Sequence, residues 1–320
     1  MYKTFFGLRA NPFNVNPDPR FLFLTRHTQE ALACLTYGIQ ARKGFVLLTG
    51  EVGTGKTTLL NKLLDWLRSQ RVATAFIFNS RLNVPQLFDF IMADFGIACE
   101  RRLKSHVLLR LNQFLLERYK AGETAVLIVD EAQNLSPGVL EEIRLLTNLE
   151  TSTEKLLQIV LSGQPELEQK LNLPQLRQLR QRIMLRCRTH LLTEEETRAY
   201  IHQRLRIAGS NGNPLFTTEA LASVHQYARG IPRVINLLCD HALISAFVDQ
   251  QVQVGGEIVE AIAREFDLHQ PDAPLAPMNG NGENLGLMEA LENLASLTER
   301  LRRSQATSSI DKKGRYEPNS

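Results

Sequence analysis

Apolar and polar positions alternate along the chain in two distinct rhythms. Short apolar runs at residues 45–48, 72–78, 125–130 and 157–161 have the length of strands, and 186–192 reads as a fifth. The run at 125–130 stays apolar until its last residue, as a central parallel strand buried on both faces requires. Between these runs the apolar residues return at helical spacing. Ala31, Leu32, Leu35 and Ile39 mark a helix over 28–40, and Leu59, Leu60, Leu63, Leu64 and Leu67 mark another. Residues 84–97 and 106–119 carry the same period, and Gly122 closes the latter. Strands alternating with helices predict an α/β fold: a five-stranded, doubly wound parallel sheet with helices on both faces and ligands at the carboxyl ends of its strands.

After Thr193 the strand signals stop. Thr193-Glu194-Glu195-Glu196 is a helix start, and helices are expected over 193–208, 218–227, 232–248 and 256–268, the third opening on Pro232. This predicts a sheet core over 44–192 followed by a small all-helical domain over 193–268. Ahead of the core, 1–43 is an arm plus one helix. Its first 26 residues interleave Phe5, Phe6, Phe13, Phe21 and Phe23 with Pro12, Pro17 and Pro19, so it should pack irregularly against a domain surface. The segment ahead of the glycine loop, arm and helix alike, leaves base binding open, with packing the plainer role for any single aromatic in it. Residues 269–286, rich in Pro, Gly and Asn, read as a flexible linker. Residues 287–303 repeat Leu287, Leu294 and Leu301 at heptad spacing with Ala290 and Leu297 between, too short to stand alone as a coiled coil. Residues 304–320 are expected to be disordered.

The chemistry concentrates where the first strand breaks. Gly50-Glu51-Val52-Gly53-Thr54-Gly55-Lys56-Thr57-Thr58 fits G-x-x-x-x-G-K-[ST] between a strand and a helix. Such a loop turns backbone N–H groups inward around a polyphosphate at a helix N-terminus. Lys56 would reach the β and γ phosphates, and the Thr57 hydroxyl would take a position on Mg²⁺. Asp130, at the end of the most apolar strand, is placed to hold the same ion, and Glu131 after it to orient or deprotonate a water. Gln164, with Ser162 in reserve, ends the neighbouring strand and could contact that water or the γ-phosphate. Capping the helix at Pro165 is the plainer role for either.

Arg177, Arg180, Arg182, Arg186 and Arg188 form a basic run, most of it a solvated face. Arg182 is best placed to project into a neighbouring subunit's nucleotide. Arg233, in the first turn of the third helix of the helical domain, could swing onto the γ-phosphate, or be a cation without a partner.

Composition narrows the setting. The chain has 320 residues, 43% apolar, enough for a proper core, and a net charge of +3, too small to argue for nucleic acid or membrane. Cys34, Cys99, Cys187 and Cys239 are scattered without C-x-x-C spacing, which disfavours disulfides and zinc and suggests a reducing compartment. No basic-then-apolar leader is present, and no apolar run reaches the ~20 residues of a membrane span. The nearest, 234–248, contains Asp240 and His241.

Taken together, Phe5-Phe6-Gly7-Leu8, Asn11-Pro12-Phe13, Pro17-Asp18-Pro19-Arg20-Phe21, the glycine loop, Val129-Asp130-Glu131-Ala132-Gln133-Asn134, Gly163-Gln164-Pro165-Glu166-Leu167, Gln181-Arg182-Ile183 and Gly230-Ile231-Pro232-Arg233-Val234-Ile235-Asn236 resemble the general secretion pathway protein A family of AAA+ ATPases. The resemblance spans residues 1–268. It implies a P-loop core and a helical lid closing on ATP and Mg²⁺, with Lys56, Thr57, Asp130 and Glu131 in the roles above, Arg182 as a finger acting in trans and Arg233 as a lid sensor. It also implies cytoplasmic ATP hydrolysis that assembles or energises secretion, pilus or exopolysaccharide-export machinery, with peripheral association at the inner membrane left open. Secretion-type members often continue into a transmembrane helix and a peptidoglycan-binding domain. Here only the linker and leucine helix follow, so no direct cell-wall contact is expected, and an envelope partner would dock on 287–301.

An arginine acting in trans implies a homo-oligomer. The rival reading is a DNA-binding AAA+ protein of the transposition-helper or replication-loader type, kept open by the basic residues between Arg177 and Arg206. A third is a nucleotide-dependent scaffold with negligible turnover.

Overall fold

The computed structural model describes residues 2–14, 16, 18–78, 81–98 and 103–268. The linker, heptad helix and tail expected after residue 268 lie outside the described residues, as does Cys99. The described chain runs α1 (Tyr2–Phe5), α2 (Arg26–Gln40), β1 (Phe45–Thr49), α3 (Lys56–Ser69), β2 (Ala73–Ile77), α4 (Val84–Asp94), α5 (Lys104–Lys120) and β3 (Ala125–Val129). It continues through α6 (Pro137–Leu146), β4 (Leu157–Gly163), α7 (Pro165–Leu171), α8 (Arg177–Arg182), β5 (Ile183–Arg188), α9 (Glu194–Ile207), α10 (Thr218–Ala228), α11 (Pro232–Val248) and α12 (Gly256–Glu265).

The five strands form one parallel sheet in the order β2-β3-β4-β1-β5. In the central strands alternate residues serve opposite cores. Phe45, Leu47, Leu127, Val129, Ile159 and Leu161 pack with α4 to α7, while Val46, Leu48, Val126, Ile128 and Val160 pack with α2 and α3. The pairing register decides where the site sits. Thr49 lies opposite Gly163 and Leu48 opposite Ser162, while Val129 lies opposite Leu161. The glycine loop after β1, the acids after β3 and the polar end of β4 therefore emerge side by side.

The last strand is displaced from its expected position. It runs Ile183–Arg188 rather than 186–192, because Leu191 is 45% exposed and Leu192 is buried with the lid rather than the sheet. At this edge the outward positions Met184, Arg186 and Arg188 are exposed, which blurs the apolar signal. β4 is longer than expected, since its pairing with β1 continues through Ser162 and Gly163. The helix α6 carried no expectation. Ser136 caps it, Pro137 opens it, and Val139, Leu140, Ile143 and Leu146 form its buried stripe.

The lid is α9 to α12. A reciprocal capping box between Thr193 and Glu196 starts α9, with acids in its first turn and Arg204 and Arg206 in its last. The first part of the N-terminal arm packs into this lid, while Leu22 joins the core between the sheet and α2 and α3. Phe6, Leu8 and Phe13 share a core with Tyr200, Leu205, Phe216 and Leu243, and the Phe5 ring meets Phe247 edge-on at 5.4 Å. The amides of Arg9 and Ala10 donate to the Ala208 carbonyl (2.7 and 3.2 Å), Gln203 Nε2 donates to the Leu22 carbonyl (3.3 Å), and Tyr2 OH donates to Asp240 (2.7 Å).

Candidate nucleotide site

The glycine loop is anchored on both sides. Gly50 N donates to the Gly163 carbonyl (3.3 Å) and Thr189 N to the Thr49 carbonyl (2.9 Å). Gly53 and Gly55 sit at φ +78° and +94°, conformations open to glycine. A Cβ on Gly50 would fall 1.8 Å from Thr189 Oγ1, and one on Gly53 would fall 2.8 Å from Arg233 Cβ. The loop is thus wedged between the end of β5 and the start of the lid helix α11.

Lys56 is buried and donates from Nζ to the carbonyls of Gly50 (2.8 Å) and Glu51 (3.0 Å). Burial pushes its ammonium below the usual lysine range, opposed by the fields of Glu131 and Asp130. Asp130, 4% exposed, sits beneath Thr57: Thr57 Oγ1 donates to Asp130 Oδ2 at 3.0 Å. Its other oxygen accepts from Ser162 Oγ (2.8 Å) and from the Glu131 amide (3.0 Å). Burial raises the Asp130 carboxyl above its ordinary value, and the Ser162 hydroxyl holds it partly down. A buried carboxylate sharing a hydroxyl with the loop is a hard oxygen pair of the kind Mg²⁺ takes beside phosphate oxygens. Among the described residues no group of three or more His, Cys, Asp or Glu is disposed to hold a metal on its own.

Glu131 occupies the left-handed region at φ +53°, unusual for a residue with a side chain. Its Oε2 accepts from Gln133 Nε2 and from Gln164 Nε2 (3.3 Å). Gln133 Oε1 in turn accepts from the Gln164 amide at 3.1 Å, stitching the ends of β3 and β4 together. Ser162 therefore reaches Asp130 and Gln164 reaches Glu131, and Gln164 makes no side-chain cap on α7.

A cleft of about 380 Å³ is lined by Val52, Gly53, Thr54, Gly55, Lys56, Thr57, Thr58, Glu131 and Arg233, while Asp130 and Gln164 stand behind this lining, bonded to Thr57 and Glu131. Gly50 and Glu51 are outside this lining and connect to it through their carbonyl bonds to Lys56. The Arg233 amide donates to the Gly53 carbonyl (3.2 Å), joining the lid to the loop. Arg182 stands apart from this cleft: its Nη1 donates to Thr147 Oγ1 and to Asn148 Oδ1 (2.8 Å). The rest of the lining comes from Asn14, Asn16, Phe21 and Phe23 of the arm, a segment whose base binding the sequence left open without naming residues, and from Tyr200, Arg204 and Asn236 of the lid, which it did not single out. The interleaved phenylalanines were the arm's only signal.

Residues 39–171 match the family model described as an AAA domain. The match and the sheet, loop and acidic pair agree. The chain carries an AAA domain on an AAA+ fold. It is 48% identical over 248 residues to the general secretion pathway protein A of Aeromonas hydrophila. That alignment covers 77% of this chain and 45% of the relative, so the chain spans less than half the relative's length.

Solved AAA+ folds superpose on it. The ORC2 protein of Aeropyrum pernix gives a TM-score of 0.60 at 16% identity, covering 80% of this chain and 71% of that one. Cdc6p from Pyrobaculum aerophilum gives 0.59 at 17% identity, covering 82% and 70%. These likenesses establish the AAA+ fold alone. Among the described residues no helix is long and apolar enough to cross a membrane.

Proposed function

We propose that this AAA+ protein hydrolyses ATP with Mg²⁺ and uses the cycle to assemble or energise an envelope secretion, pilus or polysaccharide-export system. The observation that carries the reading is the 3.0 Å hydrogen bond from Thr57 to Asp130, which joins the phosphate loop to the acidic strand end. Thr57 and Asp130 would hold the ion, which supplies charge neutralisation on the phosphate oxygens when bound. Lys56 exchanges its two carbonyl partners for phosphate oxygens. Glu131 holds and deprotonates the attacking water once Gln133 and Gln164 release its Oε2, and Gln164 is then free to contact the γ-phosphate. Arg233, carried by the lid, reads the nucleotide. Arg182 leaves Thr147 and Asn148 to enter a neighbouring copy's site, which makes the active form a homo-oligomer.

The test is Mg²⁺-dependent phosphate release by the purified chain and by Glu131→Gln. The variant should retain ATP and lose about 10²- to 10⁴-fold in turnover; equal turnover removes Glu131 from the role. Specific activity should rise with protein concentration if Arg182 acts in trans.

Similarity to general secretion pathway protein A supports a partner in a secretion pathway. The DNA-binding reading stands second, because several basic residues are already engaged: Arg188 on Glu168, Arg198 on Glu194, and Arg204 on arm carbonyls. Stimulation of turnover by duplex DNA, lost at high salt, would promote it. Absence of turnover with retained ATP binding would leave the scaffold reading.

A further inference from the structure

We propose that Arg204 is the residue that recognises the nucleoside half of the nucleotide, holding the arm as a wall and offering its unspent N–H groups to base or sugar; the proposal rests on the ATP-binding reading. Arg204 lies on lid helix α9 and is 6% exposed, yet it lines the cleft. Its Nε donates to the Pro12 carbonyl, its Nη2 to the Asn14 carbonyl (3.3 Å) and its Nη1 to Tyr200 OH (2.6 Å). A guanidinium has five N–H donors, so these three bonds leave one on each terminal nitrogen.

The cation also lies near two rings. Its carbon lies 4.7 Å from the Phe21 ring centre and 5.3 Å from that of Tyr200, within cation–π range. Among the described residues no carboxylate lies within ion-pair distance of it. Asp18, also on the cleft, feels its field, but its own bonded partner is Arg20. A buried charge matched only by carbonyls, a phenol and two rings is expensive to keep. Its two open N–H groups on the cleft supply the reason, since a charged donor bonds a base or sugar more strongly than a neutral one.

The phosphates must occupy the end formed by Gly53 to Thr58 and Arg233, so the nucleoside lies along the wall of Asn14, Asn16, Phe21 and Phe23 that Arg204 fastens to the lid. Tyr200 OH extends the network by donating to Asn236 Oδ1 at 2.9 Å. Lysine could not replace this fork, since it lacks the planar geometry that meets two carbonyls and two rings at once.

The test compares ATP with inorganic tripolyphosphate, which has no nucleoside, by calorimetry on the full chain. Arg204→Met should lose about 10- to 100-fold in ATP affinity, the size of a lost hydrogen bond to a charged group, and leave tripolyphosphate within about twofold. KM should rise while kcat at saturating ATP stays within a few-fold, and Arg204→Lys should not restore KM. If Arg204→Met does not fold, Tyr200→Phe decides, with the same selective loss expected at a smaller size of about three- to tenfold. Unchanged ATP affinity, or an equal loss for both ligands, overturns the proposal. Failure of the unmodified chain to bind ATP overturns the parent reading instead.

Discussion

Asp130 keeps a carboxylate inside the sheet with two hydroxyls and one amide as its bonded company. Its folded pKa is raised above the ordinary 3.8, so the folded state holds the proton more tightly than the unfolded chain. Its contribution to stability is therefore lost as pH climbs from 3.8 through that raised value, and at neutral pH the charge works against folding. Asp130→Asn should raise the melting temperature of the nucleotide-free protein by about 2–4 °C, the shift expected of 1 kcal/mol, while abolishing Mg²⁺-dependent turnover. Calorimetric melts with and without Mg²⁺ and ATP check both halves. The loop and the acidic pair were legible because each is a contiguous stretch whose chemistry depends on its own spacing. Gln133, Thr189 and Arg204 were not, because each also bonds across the fold, Gln133 to Gln164, Thr189 to Thr54 and Arg204 to Pro12.

At the level of elements, the legible features were those with a strong local period or a stop signal. The capping box at Thr193 and the proline at the head of α11 located their helices, and the central strands announced themselves by unbroken apolarity. β5 was misplaced because an edge strand mixes Arg186 and Arg188 into its pattern, and because Leu192 is apolar on behalf of the lid. The joint between β5 and α11 is closely packed. Gly230 sits at φ +73°, its carbonyl accepts from Leu192 N (2.9 Å), and a Cβ there would come 2.1 Å from the Leu192 carbonyl. Gly230→Ala should cost about 1–2 kcal/mol from backbone conformation alone, with the clash added. It should also raise KM for ATP by shifting Arg233 off the loop. Urea denaturation and steady-state kinetics on one preparation measure the two effects.

Across the whole molecule the arm and the lid form one body, although the intervening sheet core separates them in the chain. Phe13 is fully buried at their junction, with its ring edge-on to Phe216 at 6.1 Å. Phe13→Ala should destabilise by about 3–5 kcal/mol, read by chemical denaturation. In native-state hydrogen exchange the Arg9 and Ala10 amides, bonded to Ala208, should open together with α9 and not with the sheet.

That union also imposes an order on biosynthesis. The arm leaves the ribosome well before the helices that must receive it, and at about 5–20 residues per second the wait is roughly 10–50 s. During this interval Phe5, Phe6 and Phe13 are a sticky leading thread with no berth. Until translation has delivered α12, these rings lack the helices that bury them in the folded protein.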